Sequence, residues 1–179
     1  MNDLSYKPMF PIGKDNTQYR KLTDRYVNSG FFDGTTILKV DTEALTVLAA
    51  EAFKDIAHLL RASHLEQLAK ILQDPEASEN DRFVAYDLLK NANIASGGVL
   101  PMCQDTGTAI VIGKKGQQVW TQGNDEADLS AGILKTYLDS NLRYSQVSPL
   151  DMFNEVNTGN NLPAQIELYA QEGAEYNFL

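Results

Sequence analysis

The hydrophobic periodicity of this chain changes character at Gly97-Gly98, and that change limits the folds open to it. Over residues 41–96 apolar residues recur every three or four positions, the spacing of one helical face; directly after the glycine pair, short β-branched runs are separated by turn signals. In the first half, Leu45, Leu48, Ala49, Ala52, Ile56 and Leu59 predict a helix over 42–60 with Asp41 as N-cap. Ser63 and Glu66 have capping-box spacing and predict a second helix to about Gln73, closed by Asp74-Pro75. A third helix is predicted from Ser78, with Phe83, Val84, Leu88 and Leu89 turned inward. Residues 1–40, punctuated by Pro8, Pro11, Gly13, Gly30 and Gly34, read as an extended arm with one short strand at Thr35–Val40.

Beyond the switch, Thr108 to Ile112 is strand-like and Gly113-Lys-Lys-Gly116 is turn-like. Gln117 to Thr121 can return, so a hairpin is predicted. Residues 125–142 carry Leu129, Ile133, Leu134, Tyr137 and Leu138 at helical spacing, with Asn124 or Asp125 as cap and Arg143 at the C-terminal end. Pro149 and Pro163 bracket a polar, Asn-rich stretch, and Gln165–Ala170 and Glu175–Leu179 read as strands about Glu172-Gly173. The fold class expected is α+β: a helical lobe over 41–96, then antiparallel hairpins packed on one long helix over 97–179, all in a single domain. The apolar ending Tyr176-Asn-Phe-Leu179 leads us to expect more chain after it.

Charge and cysteine content narrow the function classes. Fifteen Lys and Arg against twenty-four Asp and Glu leave a net charge of -9 over 179 residues, a field that repels nucleic acid and anionic membranes. The N-terminal segment has no apolar run of a secretory signal, and no stretch approaches membrane-spanning length, so a soluble cytoplasmic protein is expected. The one cysteine, Cys103, can form no intrachain disulfide, which leaves the roles of metal ligand, nucleophile or small buried hydrophobe. It stands in Pro101-Met-Cys-Gln-Asp-Thr-Gly-Thr108, where a thiol, an amide, a carboxylate and two hydroxyls fall within six positions. Structural roles compete for each candidate. Asp105 can cap a turn, Arg143 can answer a helix dipole, and His58 and His64, six apart across a helix break, suit surface or core positions better than a shared ligand face.

Longer motifs decide among these roles. Gly98-Val-Leu-Pro-Met-Cys-Gln-Asp-Thr-Gly-Thr108, Ala109-Ile-Val-Ile-Gly-Lys-Lys-Gly116, Val119-Trp-Thr121, Asn141-Leu-Arg-Tyr-Ser-Gln146, Pro149-Leu-Asp-Met152 and Glu155-Val-Asn-Thr-Gly-Asn-Asn-Leu-Pro-Ala-Gln165 resemble class I fumarate hydratase. Asp74-Pro-Glu-Ala-Ser-Glu-Asn80 and Ile37-Leu-Lys-Val40 extend the likeness over essentially the whole chain, while related tartrate dehydratases share the cysteine loop more loosely. The resemblance implies an iron-sulfur hydro-lyase interconverting fumarate and (S)-malate, homodimeric when complete. It implies a [4Fe-4S] cluster held by three cysteines, of which Cys103 matches the first. Gln104 and Asp105 match contacts to the dicarboxylate, and Arg143 matches a carboxylate clamp. Asp105 is the catalytic candidate, as acceptor from the malate hydroxyl or in proton transfer. The other two cluster cysteines and the family's base are missing from these 179 residues, so the isolated chain is expected to be an inactive N-terminal part. Two alternatives stand beside this reading: a non-catalytic chain that assembles with a separate polypeptide, and a tartrate dehydratase-like hydro-lyase.

Overall fold

A computed structural model describes residues 7, 10, 18–103 and 107–179. The arm predicted over the first forty residues ends in a hairpin, β1 (Val27–Phe32) and β2 (Thr35–Val40), paired antiparallel from Val27 opposite Val40 to Phe32 opposite Thr35. The two-residue turn is Asp33-Gly34, with φ of 45° and 76°. Positive φ at both centres matches the right-handed twist of the flanking strands, and Asp-Gly is among the pairs that accept it.

Four helices follow the predicted stripes, with changes at their ends. In α1 (Thr42–His58), Asp41 holds the N-cap position with extended backbone but makes no side-chain capping bond. Leu45 and Ala49 are buried as expected. Ile56 and Leu59 are exposed, and Ala57 and His58 are buried in their place. The second helix, α2 (Ala62–Ile71), starts from Arg61 with no side-chain cap, so the Ser63–Glu66 box does not form; Ser63 already lies inside the helix. By contrast, α3 (Glu79–Ala95) opens on a full capping box between Ser78 and Asp81. Its inward face is the small-residue stripe Ala85, Ala92 and Ala95, while Phe83 and Val84 are exposed. The fourth, α4 (Asp125–Asp139), is capped by the Asn124 side chain, which accepts from the Ala127 N–H at 3.2 Å.

Of the three early helices, α1 meets α3 as well as α4. α1 packs along α4, and α2 pairs with α3. The α1–α4 crossing is close because Gly132 faces the Thr46 carbonyl and Ala49, where a Cβ would collide with α1 backbone. Thr46 Oγ1 donates to the Asp128 carbonyl at 2.9 Å, and Thr136 Oγ1 to the Ala50 carbonyl at 2.8 Å. Leu45, Leu129 and Ile133 are at most 2% exposed in this seam, so each contributes its full side-chain burial, about 2 kcal/mol.

The predicted hairpin across Gly113-Lys-Lys-Gly116 does not form. Residues 110–116 are one continuous strand, β3 (Ile110–Gly116), and β4 (Val119–Thr121) pairs parallel with β2 instead. The glycines serve close approach rather than a turn. A Cβ on Gly113 would stand 2.7 Å from Leu168 Cδ2, and one on Gly116 would collide with the Gly173 carbonyl. β3 is the centre of a mixed sheet ordered β7-β3-β8, parallel to β7 (Gln165–Gln171) and antiparallel to β8 (Tyr176–Phe178). The main core lies between this sheet and the α1–α4 pair. The Asn-rich stretch between Pro149 and Pro163 includes β6 (Glu155–Asn157), which forms a small hairpin with β5 (Val147–Pro149). The α+β class holds, with hairpins at β1-β2 and β5-β6 rather than around β3. Among the described residues, no helix is long and apolar enough to cross a membrane.

Candidate functional site

Cys103 stands where α3 hands over to β3. The chain leaves α3 through Ser96 and turns at Gly98, whose φ of 73° suits glycine. It then crosses α1, with the Met102 N–H donating to the Ala57 carbonyl at 2.9 Å. The Cys103 N–H donates to Asn91 Oδ1 on α3 at 3.3 Å, so the backbone of the thiol residue is tied to a helix while its side chain is free and exposed. That exposure removes the buried-hydrophobe role from the three open to a lone cysteine. Gln104 and Asp105 lie outside the described residues, with Thr106.

The chain is described again at Gly107, and both of its backbone groups are held. Its N–H donates to Ser145 Oγ at 2.6 Å, and its carbonyl accepts from Asn161 Nδ2 at 2.9 Å. The φ of 110° there is reached readily only by glycine. Next, Thr108 Oγ1 donates to Gln146 Oε1 at 2.8 Å, and the Ala109 carbonyl accepts from the Gln165 N–H, which starts the β3–β7 register.

Arg143 does not sit in the last turn of α4, where the helical spacing placed it. The helix ends at Asp139, and the Ser140 N–H satisfies the Thr136 carbonyl. Leu142 then plugs the core at 5% exposure, and Arg143 emerges exposed in the following loop, with no hydrogen bond or ion pair among the described residues. The dipole role is therefore not the one this geometry serves. Tyr144 stacks on Tyr137, and its carbonyl accepts from Asn157 Nδ2 at 2.8 Å. Ser145 and Gln146 both donate their N–H groups to Asn161 Oδ1, at 2.9 and 2.8 Å. The loop that carries the thiol and the segment that carries the guanidinium are thus neighbours, joined through Ser145, Gln146 and Asn161. A guanidinium exposes a planar fork of donors suited to a carboxylate, and an exposed thiol is available to a metal or an electrophile.

Asn161 was not singled out by sequence. Its side chain is fully buried and its φ is 55°, in the left-handed region that asparagine tolerates better than most residues. The one signal was the density of asparagine between Pro149 and Pro163, which does not say which of them turns inward. The histidines keep structural places. His58 is buried with Nδ1 against the Lys54 carbonyl at 2.7 Å, and His64 lines a cavity of about 430 Å³ with Asn91 and Met102. Among the described residues, no group of three or more His, Cys, Asp or Glu converges to hold a metal ion. An iron-sulfur cluster needs three or four thiolates, so one cysteine cannot hold it alone; the donors of this chain fit one corner of such a site and not the whole.

A second polar cluster lies toward the C-terminal end of β3. Lys115 Nζ donates to Asp125 Oδ2 at 2.7 Å and to Thr121 Oγ1 at 2.6 Å, and the Tyr176 hydroxyl donates to the same Asp125 oxygen at 2.9 Å. Burial raises the Asp125 carboxyl, but bonds from Lys115, Thr121 and Tyr176 outweigh it and hold the group below the usual carboxylate range. Burial first, and the Asp125 bond second, push the Tyr176 phenol well above its ordinary value. The cluster stays ionised at Asp125 and neutral at Tyr176 near neutral pH, and it joins β3, β8 and the first turn of α4.

The family model for fumarate hydratase (Fumerase) matches residues 46–179. The chain is 62% identical over 97% of its length to the anaerobic class I fumarate hydratase of Escherichia coli K12, and 59% identical to the aerobic one. It is 53% identical over 94% of its length to the mitochondrial fumarate hydratase 1 of Leishmania major. These alignments cover 32%, 32% and 31% of the respective relatives, so the chain spans about a third of their length.

Proposed function

The chain belongs to the fumarate hydratase family, and from that premise we propose that it forms the N-terminal part of a hydro-lyase interconverting fumarate and (S)-malate. The observation that carries the reading is an exposed thiol and an exposed guanidinium, the latter without a partner among the described residues, on two segments bonded to each other, within a sequence 62% identical to an enzyme of that name.

In this reading residues 1–179 act as one unit, and Arg143 grips one carboxylate of the diacid through two parallel N–H bonds. Gln104 and Asp105 contact the substrate beside it, with Asp105 accepting a hydrogen bond from the malate hydroxyl or taking part in proton transfer. Cys103 supplies one thiolate to a [4Fe-4S] cluster whose other ligands come from outside these residues. Such a cluster, when bound, supplies a Lewis-acidic iron for a poor hydroxide leaving group. The complete enzyme is a cytoplasmic homodimer that binds neither nucleic acid nor membrane.

The test is to assay the whole protein anaerobically for loss of fumarate absorbance, with Cys103→Ala beside it. The expected loss in the variant is on the order of a thousandfold or greater, each ~1.4 kcal/mol being tenfold; a mild loss removes Cys103 from the ligand set. Arg143→Lys is expected to raise KM and lower turnover, since lysine has no fork, and unchanged kinetics remove Arg143 from the clamp. Dehydration of tartrate in place of malate overturns the substrate assignment. An inactive protein that assembles stoichiometrically with a separate polypeptide overturns the catalytic one.

A further inference from the structure

We propose that Asn161 is a positioning residue, a buried latch that sets the thiol loop and the Arg143 segment in register with each other; the inference rests on the fumarate hydratase reading for what the two segments do. Asn161 is 0% exposed. A buried amide is costly unless its donors and acceptor are used, and here all the bonds go to backbone of two segments remote in sequence. Nδ2 holds the Gly107 carbonyl, 54 positions away, at 2.9 Å. Oδ1 holds the N–H groups of Ser145 and Gln146, 16 and 15 positions away, at 2.9 and 2.8 Å. Ser145 Oγ closes the ring by accepting from the Gly107 N–H at 2.6 Å.

Both polar groups of Gly107 are therefore fixed relative to Ser145. Gly107 lies four positions after Cys103, and Ser145 two positions after Arg143. The far end of the thiol loop is anchored on Asn91 through the Cys103 N–H, so the loop is held at both described ends. An apolar side chain of equal size would fill the space but could not orient three peptide groups. Aspartate has the volume and the acceptor, but an ionised carboxylate has no donor for the Gly107 carbonyl and would meet it with like partial charge. Asn161 itself is buried, so its action passes through the residues it holds.

The experiment compares Asn161→Asp, Asn161→Ala and Ser145→Ala in the whole enzyme with Leu129→Ala, a core variant chosen to lower Tm by at least as much without touching the latch. For Asn161→Asp the expected result is a fall in kcat/KM on the order of a hundredfold with a raised KM, because an ångström of misplacement costs about that much. Ser145→Ala should show a smaller fall, and Leu129→Ala none in its folded fraction. Hydrogen exchange should quicken at Gly107 in Asn161→Asp, whose carboxylate repels the Gly107 carbonyl but keeps the acceptor for Ser145 and Gln146, at all three amides in Asn161→Ala, and at Gly107 in Ser145→Ala. If Asn161→Ala does not fold, the Asp and Ser145 variants carry the result. Unchanged kinetics and exchange in Asn161→Asp, or losses in Leu129→Ala as large at matched Tm, overturn the proposal. If the unmutated protein turns over neither fumarate nor malate, the functional reading falls separately and the exchange data decide the latch. Faster exchange at Gly107 in Asn161→Asp then sustains it, and no change there rejects it.

Discussion

Two regions that meet at β3 are held by different forces. Toward α1 and α4 the strand packs Val111 into a seam of Leu45, Ala49, Leu129 and Ile133, where the contacts are apolar and numerous, and no single atom sets the geometry. Around the Cys103 loop and the Arg143 segment, few large side chains are buried, and position comes from single directional bonds to Asn161, Ser145 and Asn157. Apolar packing tolerates small adjustments because its energy is spread over many contacts. A latch of side chain on backbone fixes a peptide group to within a few tenths of an ångström, and its loss has no substitute nearby. The first region therefore holds stability, and the second holds geometry.

That division can be broken from either side. The largest effect on stability is expected from Leu129→Ala, about 3 kcal/mol from lost transfer and cavity, read as a lower denaturation midpoint with unchanged KM in the whole enzyme; a changed KM would erase the distinction. Gly132→Ala should cost about 2 kcal/mol by overpacking, although alanine has the better helix propensity. A neutral result would mean that α1 and α4 can separate without loss.

Lys115→Met should cost about 1.5 kcal/mol, because it leaves the Asp125 carboxylate short of its charged donor. This variant also has a pH signature. Asp125 titrates below its unfolded value, so its contribution is complete above about pH 4 and lost as pH falls through the folded value. Without Lys115 the folded carboxyl titrates nearer its unfolded value, so the variant's stability deficit should be largest near neutral pH and shrink as pH falls through the carboxylate range; a deficit that does not change with pH would show that Lys115 is not what holds the carboxyl down. The smallest stability change is expected from Asn157→Ala, about 1 kcal/mol or less, since its bonds to the Tyr144 carbonyl and the Gly159 N–H are exposed to water. In the whole enzyme it should still move KM more than Leu129→Ala does. The reverse order would place the geometry in the core.

The same division explains what could be read from sequence. The packed region announces itself through periodicity, and α1, α3, α4 and β7 lie close to their expected spans. Where the stripe misleads, packing partners decide: Phe83 and Val84 are exposed because α3 meets its neighbours through alanines. The glycines of Gly113-Lys-Lys-Gly116 were read as a turn although they admit Leu168 and Phe178 against a straight strand, a distinction that depends on residues more than fifty positions later. The β1-β2 hairpin carries a local signal in Asp33-Gly34, a pair that accepts positive φ at both turn centres. In the latched region the motif residues Cys103 and Arg143 are legible as chemistry. The choice of Asn161 over Asn154, Asn157 or Asn160 is a matter of which amide turns inward, and local sequence does not encode that.

The placement of β3 between β7 and β8 has a consequence for synthesis. The strand that follows the thiol loop leaves the ribosome some fifty residues before either partner, at ~5–20 residues per second a delay of several seconds. Asn161 emerges in the same late interval. Through that time Met102 and Cys103 can already be tied to α1 and α3, while Gly107 waits for Ser145 and Asn161, and the α1–α4 seam can close first because its last residue, Asp139, appears earlier. The order of translation thus separates building the scaffold from aiming the site, so that reactive geometry is assembled only after the part that bears the load is in place.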